Sequence, residues 1–155
     1  MKKKSLHQVR IEKFMKLAGQ ECPFELTQAS VKIRKLRARL ILEEALEAIA
    51  ELGVTVSASD SVIGLTTAVS GIDDLSLQVN ESFTVDYCSL AKELADLSVV
   101  TTGSLSSFGI ADVGLLELVD NNNLSKFGPG WSIREDGKLI KPAGFKKLSI
   151  SKSDL

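Results

Sequence analysis

The sequence predicts an all-α protein, a helical bundle that carries one small β-hairpin insertion and a second hairpin near its C-terminus. Three observations lead to this fold class. Apolar residues recur at the period of an α-helix in three segments, and an N-capping aspartate marks the start of a fourth helix. Strand-like alternation is confined to residues 54–84. Asp136-Gly137, between two short extended pieces, predicts the late hairpin.

The first two helices are defined by apolar spacing and by glycine stops. The first is predicted over about 6–18, where apolar residues follow the i, i+3, i+4, i+7 pattern and Gly19 suits a left-handed stop. A loop with a proline leads to the second, predicted over about 28–52. Thr27 can cap the start of this helix and Gly53 can end it.

The middle of the chain changes character before two further helices. Residues 54–84 are rich in Ser, Thr, Val and Gly, which predicts a small β-hairpin or an irregular excursion, with room for a helix around 60–69. A third helix is predicted over about 85–108. A fourth is predicted from Asp112, a good N-cap, to about Ser125.

Composition limits the class of protein. The 155 residues, 44% hydrophobic and 25% charged, fit one globular domain over 1–155 with a frayed end over 148–155. A net charge of −1 argues against a nucleic-acid binder, and no apolar run reaches the ~20 residues of a membrane span. The basic start lacks the apolar stretch of a secretory signal, and Cys22 and Cys88 lack metal-site spacing, so we expect a cytoplasmic protein with free thiols. His7 is the only histidine, which makes Ser-His-Asp or Cys-His catalysis a poor candidate.

Two acidic clusters on predicted helices point to a function. The second helix carries an E-E-x-x-E run, Glu43, Glu44 and Glu47, and the third carries an E-x-x-D run, Glu93 and Asp96. Residues three and four apart share a helix face, so each cluster projects its carboxylates together. Like charges at this spacing repel each other, and a hard divalent cation with oxygen ligands relieves the repulsion.

The clusters have a structural and a functional interpretation. Periodicity alone favours a solvated face for the three glutamates, which fall opposite an apolar face that includes Leu42, Leu46 and Ile49. Glu93, however, lies at the margin of an apolar stripe, and no Lys or Arg follows it before Phe108. A half-buried acid without a partner is costly, so it requires a metal ion or a charge from another helix. We expect both clusters to meet at a site for Mg²⁺ or Mn²⁺, because His and Cys ligands for zinc are missing.

These motifs resemble the all-α NTP pyrophosphatase superfamily, the MazG-like and phosphoribosyl-ATP pyrophosphohydrolase-like proteins. Five elements stand in the family's order between about residues 8 and 147. They are Phe14 with Gly19-Gln20, the helix from Leu36-Arg37 to Glu47, Glu93-x-x-Asp96, Asn123-Leu124-Ser125-Lys126-Phe127-Gly128, and Asp136-Gly137-Lys138 followed by Lys141-Pro142-x-Gly144-Phe145.

The resemblance implies a MazG-like fold and a Mg²⁺-dependent hydrolase with a role in nucleotide-pool house-cleaning. Such an enzyme cleaves a nucleoside triphosphate between the α and β phosphates and releases the monophosphate and pyrophosphate. The implied metal ligands are Glu43, Glu44, Glu47, Glu93 and Asp96. Glu44 or Glu47 would orient or deprotonate the attacking water. The implied substrate contacts are Asn123, Lys126, Lys141, Arg37, Phe14 and Gln20. Family members pair into dimers or dimers of dimers, so a homo-oligomer is expected.

Two departures from the family pattern and one rival function accompany this hypothesis. The segment 54–84 is longer and more strand-like than a plain helical connection, so it is a candidate lid, dimer element or specificity insert. Asn121-Asn122 stand where relatives often have Arg-Ser. The rival function is a helical oligomerisation or adaptor module that kept the fold and lost catalysis. The complete set of five acids argues against it.

Overall fold

The computed structural model describes residues 2–58, 75–135, 137, 139–142 and 144–155. Across these residues the chain is mostly helical, with two small antiparallel hairpins, which confirms the coarse fold class. The described elements are α1 (Leu6–Leu17), α2 (Val31–Ala50), β1 (Val54–Ala58), β2 (Leu75–Val79), α3 (Tyr87–Ser107), α4 (Asp112–Leu124), a 3-10 turn (Ser125–Phe127), β3 (Ser132–Ile133) and β4 (Leu139–Ile140).

The chain divides into two compact units. Unit 1 comprises Met1–Ala29 with Thr102–Leu155, and unit 2 comprises Ser30–Thr101. Unit 1 therefore holds α1, the end of α3, α4 and the C-terminal hairpin. Unit 2 holds α2, the β1–β2 hairpin and the first part of α3, so all five acids of the predicted metal site belong to it.

A buried glutamine organises unit 1. The Gln8 side chain is fully buried, and its Nε2 donates hydrogen bonds to Ser106 Oγ at 3.0 Å and to the Ile110 carbonyl at 2.7 Å. Its Oε1 accepts from the Asp112 backbone N–H at 2.9 Å. Ser5 caps α1, since its Oγ accepts from Gln8 N at 3.0 Å, and both its N–H and its hydroxyl donate to the Asp112 carboxylate. These bonds join the start of α1 to the turn between α3 and α4.

Helix ends follow the predicted glycine stops more closely than the predicted caps. Gly19 adopts φ 72° just after α1, as expected. The cap of α2 is Ser30, whose Oγ accepts an N–H bond at 3.3 Å, so the prediction of Thr27 was wrong. Ala111 occupies the cap position of α4, and the predicted cap Asp112 lies one residue inside the helix. Its carboxylate binds Ser5 instead, which a local pattern does not reveal.

Unit 2 places a β-hairpin between its helices. Strands β1 and β2 pair antiparallel with Val54 opposite Val79. Gly53 ends α2 at φ 69°, and a Cβ there would lie 2.5 Å from the Phe83 ring. Residues 59–74, which include the helix expected around 60–69, lie outside the described residues.

The start of α3 and the C-terminal hairpin are built by local hydrogen bonds. Asp86 precedes α3, and its carboxylate accepts from Cys88 N at 2.9 Å, which keeps the Asp86 pKa below its usual value.

Strand β3 pairs antiparallel with β4, with Ser132 opposite Ile140, as the sequence predicted for this segment. Gly137, at φ 80°, donates to a carbonyl in the connecting turn, whereas Asp136 lies outside the described residues. The end of the chain, 148–155, forms no helix or strand.

The buried apolar core of the described residues is small and leaves many large side chains exposed. Its members are Ile11, Met15, Ala29, Ala48, Val100 and Ala111. The predicted apolar face of α2 is not buried, since Leu42 is 61% exposed and Leu46 is 43% exposed. Within the described residues, no single helix is long and apolar enough to cross a membrane. One pair of helices, α3 followed by α4 with its 3-10 turn, has the required length and hydropathy when both are taken together, but the pair is sharply bent.

Candidate metal centre

Three carboxylates from two helices of unit 2 converge. Glu44 and Glu47 lie on α2 and Glu93 lies on α3. One oxygen from each lies within 4.8 Å of the other two. Glu44 and Glu47 are three residues apart on α2, so they share a face, as the sequence predicted. The expectation that acids from the second and third helices share one place is therefore met by these three residues.

The Glu93 side chain is largely shielded from solvent. It is 14% exposed, in line with its predicted place at the margin of an apolar stripe. The Oε1 atom accepts a hydrogen bond from Lys92, whereas the buried Oε2 atom has no hydrogen-bond partner among the described residues. Buried carboxylate oxygens are normally hydrogen-bonded, so Oε2 is an acceptor without its expected donor or cation.

Lys92 is the residue beside the acidic cluster that the sequence patterns did not single out. Its Nζ lies 2.8 Å from Glu93 Oε1 and 3.0 Å from Asp96 Oδ2. The hydrogen bonds to Glu93 and to Asp96 raise the Lys92 pKa further above its usual value, so the ammonium group stays charged. The expectation that no basic residue pairs locally with Glu93 was wrong, because Lys92 precedes it by one position. The i,i+4 spacing of Lys92 and Asp96 is the signal that indicates the pair.

The electrostatics of Glu44 show that the two acidic clusters influence each other. Burial raises the pKa of Glu44, and the charges of Glu47, Asp96 and Glu93 raise it further. Lys92 acts in the opposite direction. Since two of these acids belong to the other helix, the carboxylates of α2 and α3 form one site with an excess of negative charge.

The three convergent carboxylates fit a divalent cation. Mg²⁺ binds oxygen ligands at ~2.1 Å, so two oxygens on opposite sides of the ion are ~4.2 Å apart. The Glu44, Glu47 and Glu93 oxygens lie within 4.8 Å of one another, so the three side chains would have to move closer together to bind one ion. Glu93 Oε2 has no hydrogen-bond partner among the described residues, and a cation bound to it would satisfy it. The ligand set is oxygen only, which suits Mg²⁺ or Mn²⁺.

The other two predicted ligands have different surroundings. Glu43 is not part of the convergent group in the described part of the chain, and its carboxylate lies 4.0 Å from Arg39 Nε with the side chain 49% exposed. Asp96 is 42% exposed and is held by Lys92. Of the five predicted ligands, Glu44, Glu47 and Glu93 therefore converge. Asp96 pairs with Lys92, and Glu43 lies near Arg39.

The predicted substrate residues are spread over both units. Arg37 lies in unit 2 and is buried, where it takes part in a polar or electrostatic interaction. The other five lie in unit 1. There, Lys126 Nζ donates to Asn123 Oδ1 at 2.6 Å, which brings together the two predicted residues of the N-x-x-K element. Lys141 Nζ lies 5.1 Å from the centre of an aromatic ring, that of Phe145.

Phe14 and Gln20 form the remaining predicted pair of substrate contacts. Phe14 is 64% exposed on α1, so its helical spacing with buried neighbours does not place it in the core. Gln20 is half-buried just beyond the α1 stop, and its backbone N–H donates to the Met15 carbonyl at 2.8 Å. The role of these two residues as substrate contacts stays a prediction.

Neither the protein-family models nor the curated proteins compared with this chain match it. A function is therefore to be inferred from the motifs and from the geometry of unit 2. That geometry offers three oxygen ligands, an enclosed acceptor and a neighbouring ammonium group. Such a set can hold one hard cation and present it to a phosphate-bearing ligand, because Mg²⁺ in proteins is commonly shared between carboxylates and phosphates.

Proposed function

We propose that this protein is a metal-dependent nucleoside triphosphate pyrophosphohydrolase with a MazG-like fold. The observation that carries the proposal is the convergence of Glu44, Glu47 and Glu93 oxygens within 4.8 Å, with Glu93 Oε2 buried and unpartnered among the described residues. The order of the family-like motifs along the chain supports the same activity. The products would be a nucleoside monophosphate and pyrophosphate.

The residues of unit 2 have distinct roles in the proposed reaction. Glu44, Glu47 and Glu93 would hold Mg²⁺ or Mn²⁺, and Glu43 and Asp96 would add negative charge around the ion. The bound ion would neutralise phosphate charge and make the phosphorus easier to attack. Glu47 or Glu44 would take the proton from the attacking water. The new P–O bond to water forms as the bridging P–O bond between the α and β phosphates breaks, and pyrophosphate leaves.

The substrate contacts in the proposal are the residues of the family-like motifs. Asn123 and Lys126, which already contact each other, would hold phosphate or sugar oxygens. Lys141 would contact phosphate, and Phe14, exposed on α1, would frame the base with Gln20. A cation such as lysine suits a triphosphate because charge neutralisation is a large part of phosphoryl-group catalysis.

The direct test is pyrophosphate release from a panel of ribo- and deoxynucleoside triphosphates, modified bases included. Each is assayed with Mg²⁺, with Mn²⁺ and with chelator. We expect metal-dependent release that Glu47→Gln and Glu93→Gln abolish. Glu117→Gln, which removes an exposed acid from α4, is the matched control and should keep full activity. A folded protein that releases no pyrophosphate and gains no thermal stability from either ion would overturn the proposal.

A helical oligomerisation module is the second candidate function, because unit 2 exposes large apolar side chains on its helices. Val31 is 59% exposed, Leu42 61% and Leu94 51%. Large exposed apolar side chains are typical of surfaces that pair with another chain where they form a contiguous patch. Oligomer formation without pyrophosphate release, measured by light scattering beside the activity panel, would favour this second function, whereas a homo-oligomer that also releases pyrophosphate would agree with the first.

A further inference from the structure

We propose that unit 1 binds an anionic ligand with a hydrocarbon chain in the cavity between its N-terminal segment, α1 and the loop that precedes α2. The cavity has a volume of about 1030 Å³, which suits a small organic molecule. Its lining residues all belong to unit 1, and they include neither the acids of the candidate metal centre nor the predicted substrate contacts. The inference goes beyond the proposed function and does not depend on it.

One part of the cavity wall is apolar. It is formed by Val9 on α1, Phe24 and Leu26 in the loop before α2, Ala111 just before α4, and Leu155. Phe24 is 75% exposed and Val9 is 50% exposed, so these side chains remain in contact with water. A hydrocarbon chain that covers them removes apolar surface from water, which favours binding.

The other part of the wall is basic. Its charged residues are four lysines and two glutamates, Lys2, Lys3, Lys4, Lys16, Glu12 and Glu25. The side chains of Lys3 and Lys16 form no hydrogen bond or ion pair in the described part of the chain. Lys2 is already engaged, since it donates to the Ser153 carbonyl at 3.3 Å and is attracted to Asp154. The positive charges of Lys3 and Lys16 are therefore available to an anion in the cavity.

Lys4 places a partly shielded ammonium group beside the apolar wall. Its Nζ lies 2.6 Å from Glu12 Oε1 and 5.5 Å from the centre of the Phe24 ring. The Lys4 side chain is 21% exposed and that of Glu12 is 11% exposed, so this ion pair is largely shielded from water. An ammonium group has three N–H donors, and Glu12 is the one hydrogen-bond acceptor of Lys4 in the described part of the chain. Donors of Lys4 therefore remain for an anionic head group.

An anionic amphiphile matches both parts of the wall. Its carboxylate or phosphate head would accept hydrogen bonds from Lys4 and balance the charges of Lys3 and Lys16, and its chain would cover the apolar residues. An alcohol with the same chain lacks the negative charge, so it should bind more weakly. The corresponding alkylammonium ion should be repelled by the lysines.

The test uses the full chain, with chelator present so that the candidate metal centre does not contribute. Decanoate and decyl phosphate are titrated into isotope-labelled protein, and amide proton–nitrogen correlation spectra locate the response. We expect saturable shifts at Val9, Leu26 and Ala111 with at least one of the two anions, and the comparison identifies the preferred head group. Decanol should shift the same signals with lower affinity, and decylammonium should not shift them.

Charge variants test the role of the two lysines without a direct partner. Lys3→Gln/Lys16→Gln should weaken anion binding by about threefold or more, because each lysine contributes the energy of an exposed ion pair. Lys32→Gln/Lys35→Gln removes the same net charge from exposed positions of α2 and should bind as the wild type does.

Two further variants test the shielded ion pair and the apolar wall. Lys4→Gln/Glu12→Gln replaces the pair by two amides, so that neither charge is left unpaired, and should weaken anion binding roughly tenfold. Val9→Glu puts a negative charge on the apolar wall and should abolish anion binding. Val31→Glu makes the same change at a position of α2 that is 59% exposed and should leave anion binding unaltered. Circular dichroism of each variant verifies its fold.

Three results would overturn the inference. They are the absence of saturable shifts with both anions, equal affinity for decanol and the anions, and shifts confined to exposed apolar residues outside the cavity. Loss of anion affinity in Lys3→Gln/Lys16→Gln and in Val9→Glu, but not in their controls, would support it. Since no metal takes part in these measurements, failure of the proposed pyrophosphohydrolase activity would leave the inference untouched.

Discussion

Neutralisation of Glu44 should have opposite effects on stability without and with a divalent ion. Burial and the charges of Glu47, Asp96 and Glu93 raise the pKa of Glu44, so its ionised form is disfavoured in the folded protein. Glu44→Gln removes that charge and keeps the shape of the side chain. In the presence of chelator the variant should therefore be more stable than the wild type.

The magnitude follows from the number of repulsive partners. A like-charge pair at i,i+3 or i,i+4 spacing on a helix costs ~0.2–0.5 kcal/mol, and Glu44 has one such partner on α2, Glu47. The two acids on α3 add repulsions of similar size, and the attraction to Lys92 offsets part of the total. We expect a net stabilisation of about 0.5–1 kcal/mol in the absence of metal. For a chain of this length that corresponds to a rise of ~1–4 °C in Tm.

With a saturating divalent ion, the wild type should instead be more stable than Glu44→Gln. A ligand at a hundred times its Kd stabilises the folded state by ~2.7 kcal/mol, which corresponds to ~5–11 °C in Tm for the wild type. Glu44→Gln lacks one of the three convergent ligands and should lose most of this gain. The assay is thermal unfolding by circular dichroism, in chelator and at several Mg²⁺ and Mn²⁺ concentrations.

The control and the refuting result are specific. Glu117→Gln changes the same charge on the exposed face of α4 and should behave as the wild type in both conditions. If Glu44→Gln were destabilised in chelator, the repulsion within the cluster would not be the dominant effect at this position. If it gained as much from metal as the wild type does, Glu44 would not be a ligand.

Three further predictions concern stability. Gln8→Leu should lower the free energy of unfolding in urea by ~2–4 kcal/mol, because three buried hydrogen bonds are lost; a change below ~1 kcal/mol would contradict that account. Gly109→Ala should destabilise, since φ is 72° and a Cβ would lie 2.6 Å from a backbone carbonyl carbon, whereas Gly114→Ala in α4 should stabilise by up to ~1 kcal/mol; equal effects in urea would refute the clash. In chelator, stability should fall as the pH rises above about 4.5 and through the raised pKa of Glu44, because the folded state holds that proton more tightly than the unfolded state; urea unfolding of Glu44→Gln should show a flatter dependence.

Local sequence signals predicted where helices stop better than where they start. Gly19 and Gly53 both follow a helix with positive φ, because a glycine stop depends on the residue itself. Thr27 and Ser30 are both suitable caps by type, and the choice between them depends on a distant residue. The Thr27 N–H donates to the Phe108 carbonyl at 3.0 Å, which holds Thr27 outside the helix. A contact between positions so far apart in the chain leaves no local pattern.

The candidate site shows the same division between what spacing reveals and what packing decides. The three- and four-residue spacings placed Glu44 and Glu47 on one face of α2, and the apolar pattern of α3 placed Glu93 at a half-buried position. The i,i+4 spacing of Lys92 and Asp96 indicates their ion pair, whereas no spacing rule indicates the contact of Lys92 with Glu93, because adjacent residues on a helix do not face each other. The four-carbon stem of the lysine still allows its ammonium group to reach both Glu93 and Asp96.

The surroundings of Glu93 argue that the acidic cluster is not simply a solvated helix face. Acids whose only role is solubility can turn towards water, as Glu43 does with a side chain that is 49% exposed. Glu93 is enclosed, with one oxygen unpartnered among the described residues, and it lies close to two more carboxylates. Leu or Gln at this position would remove the buried charge and its repulsion with the two other carboxylates, and would keep the helix. Residues that lower stability in this way are typical of functional sites, so the arrangement favours a cation that binds there and offsets the repulsion.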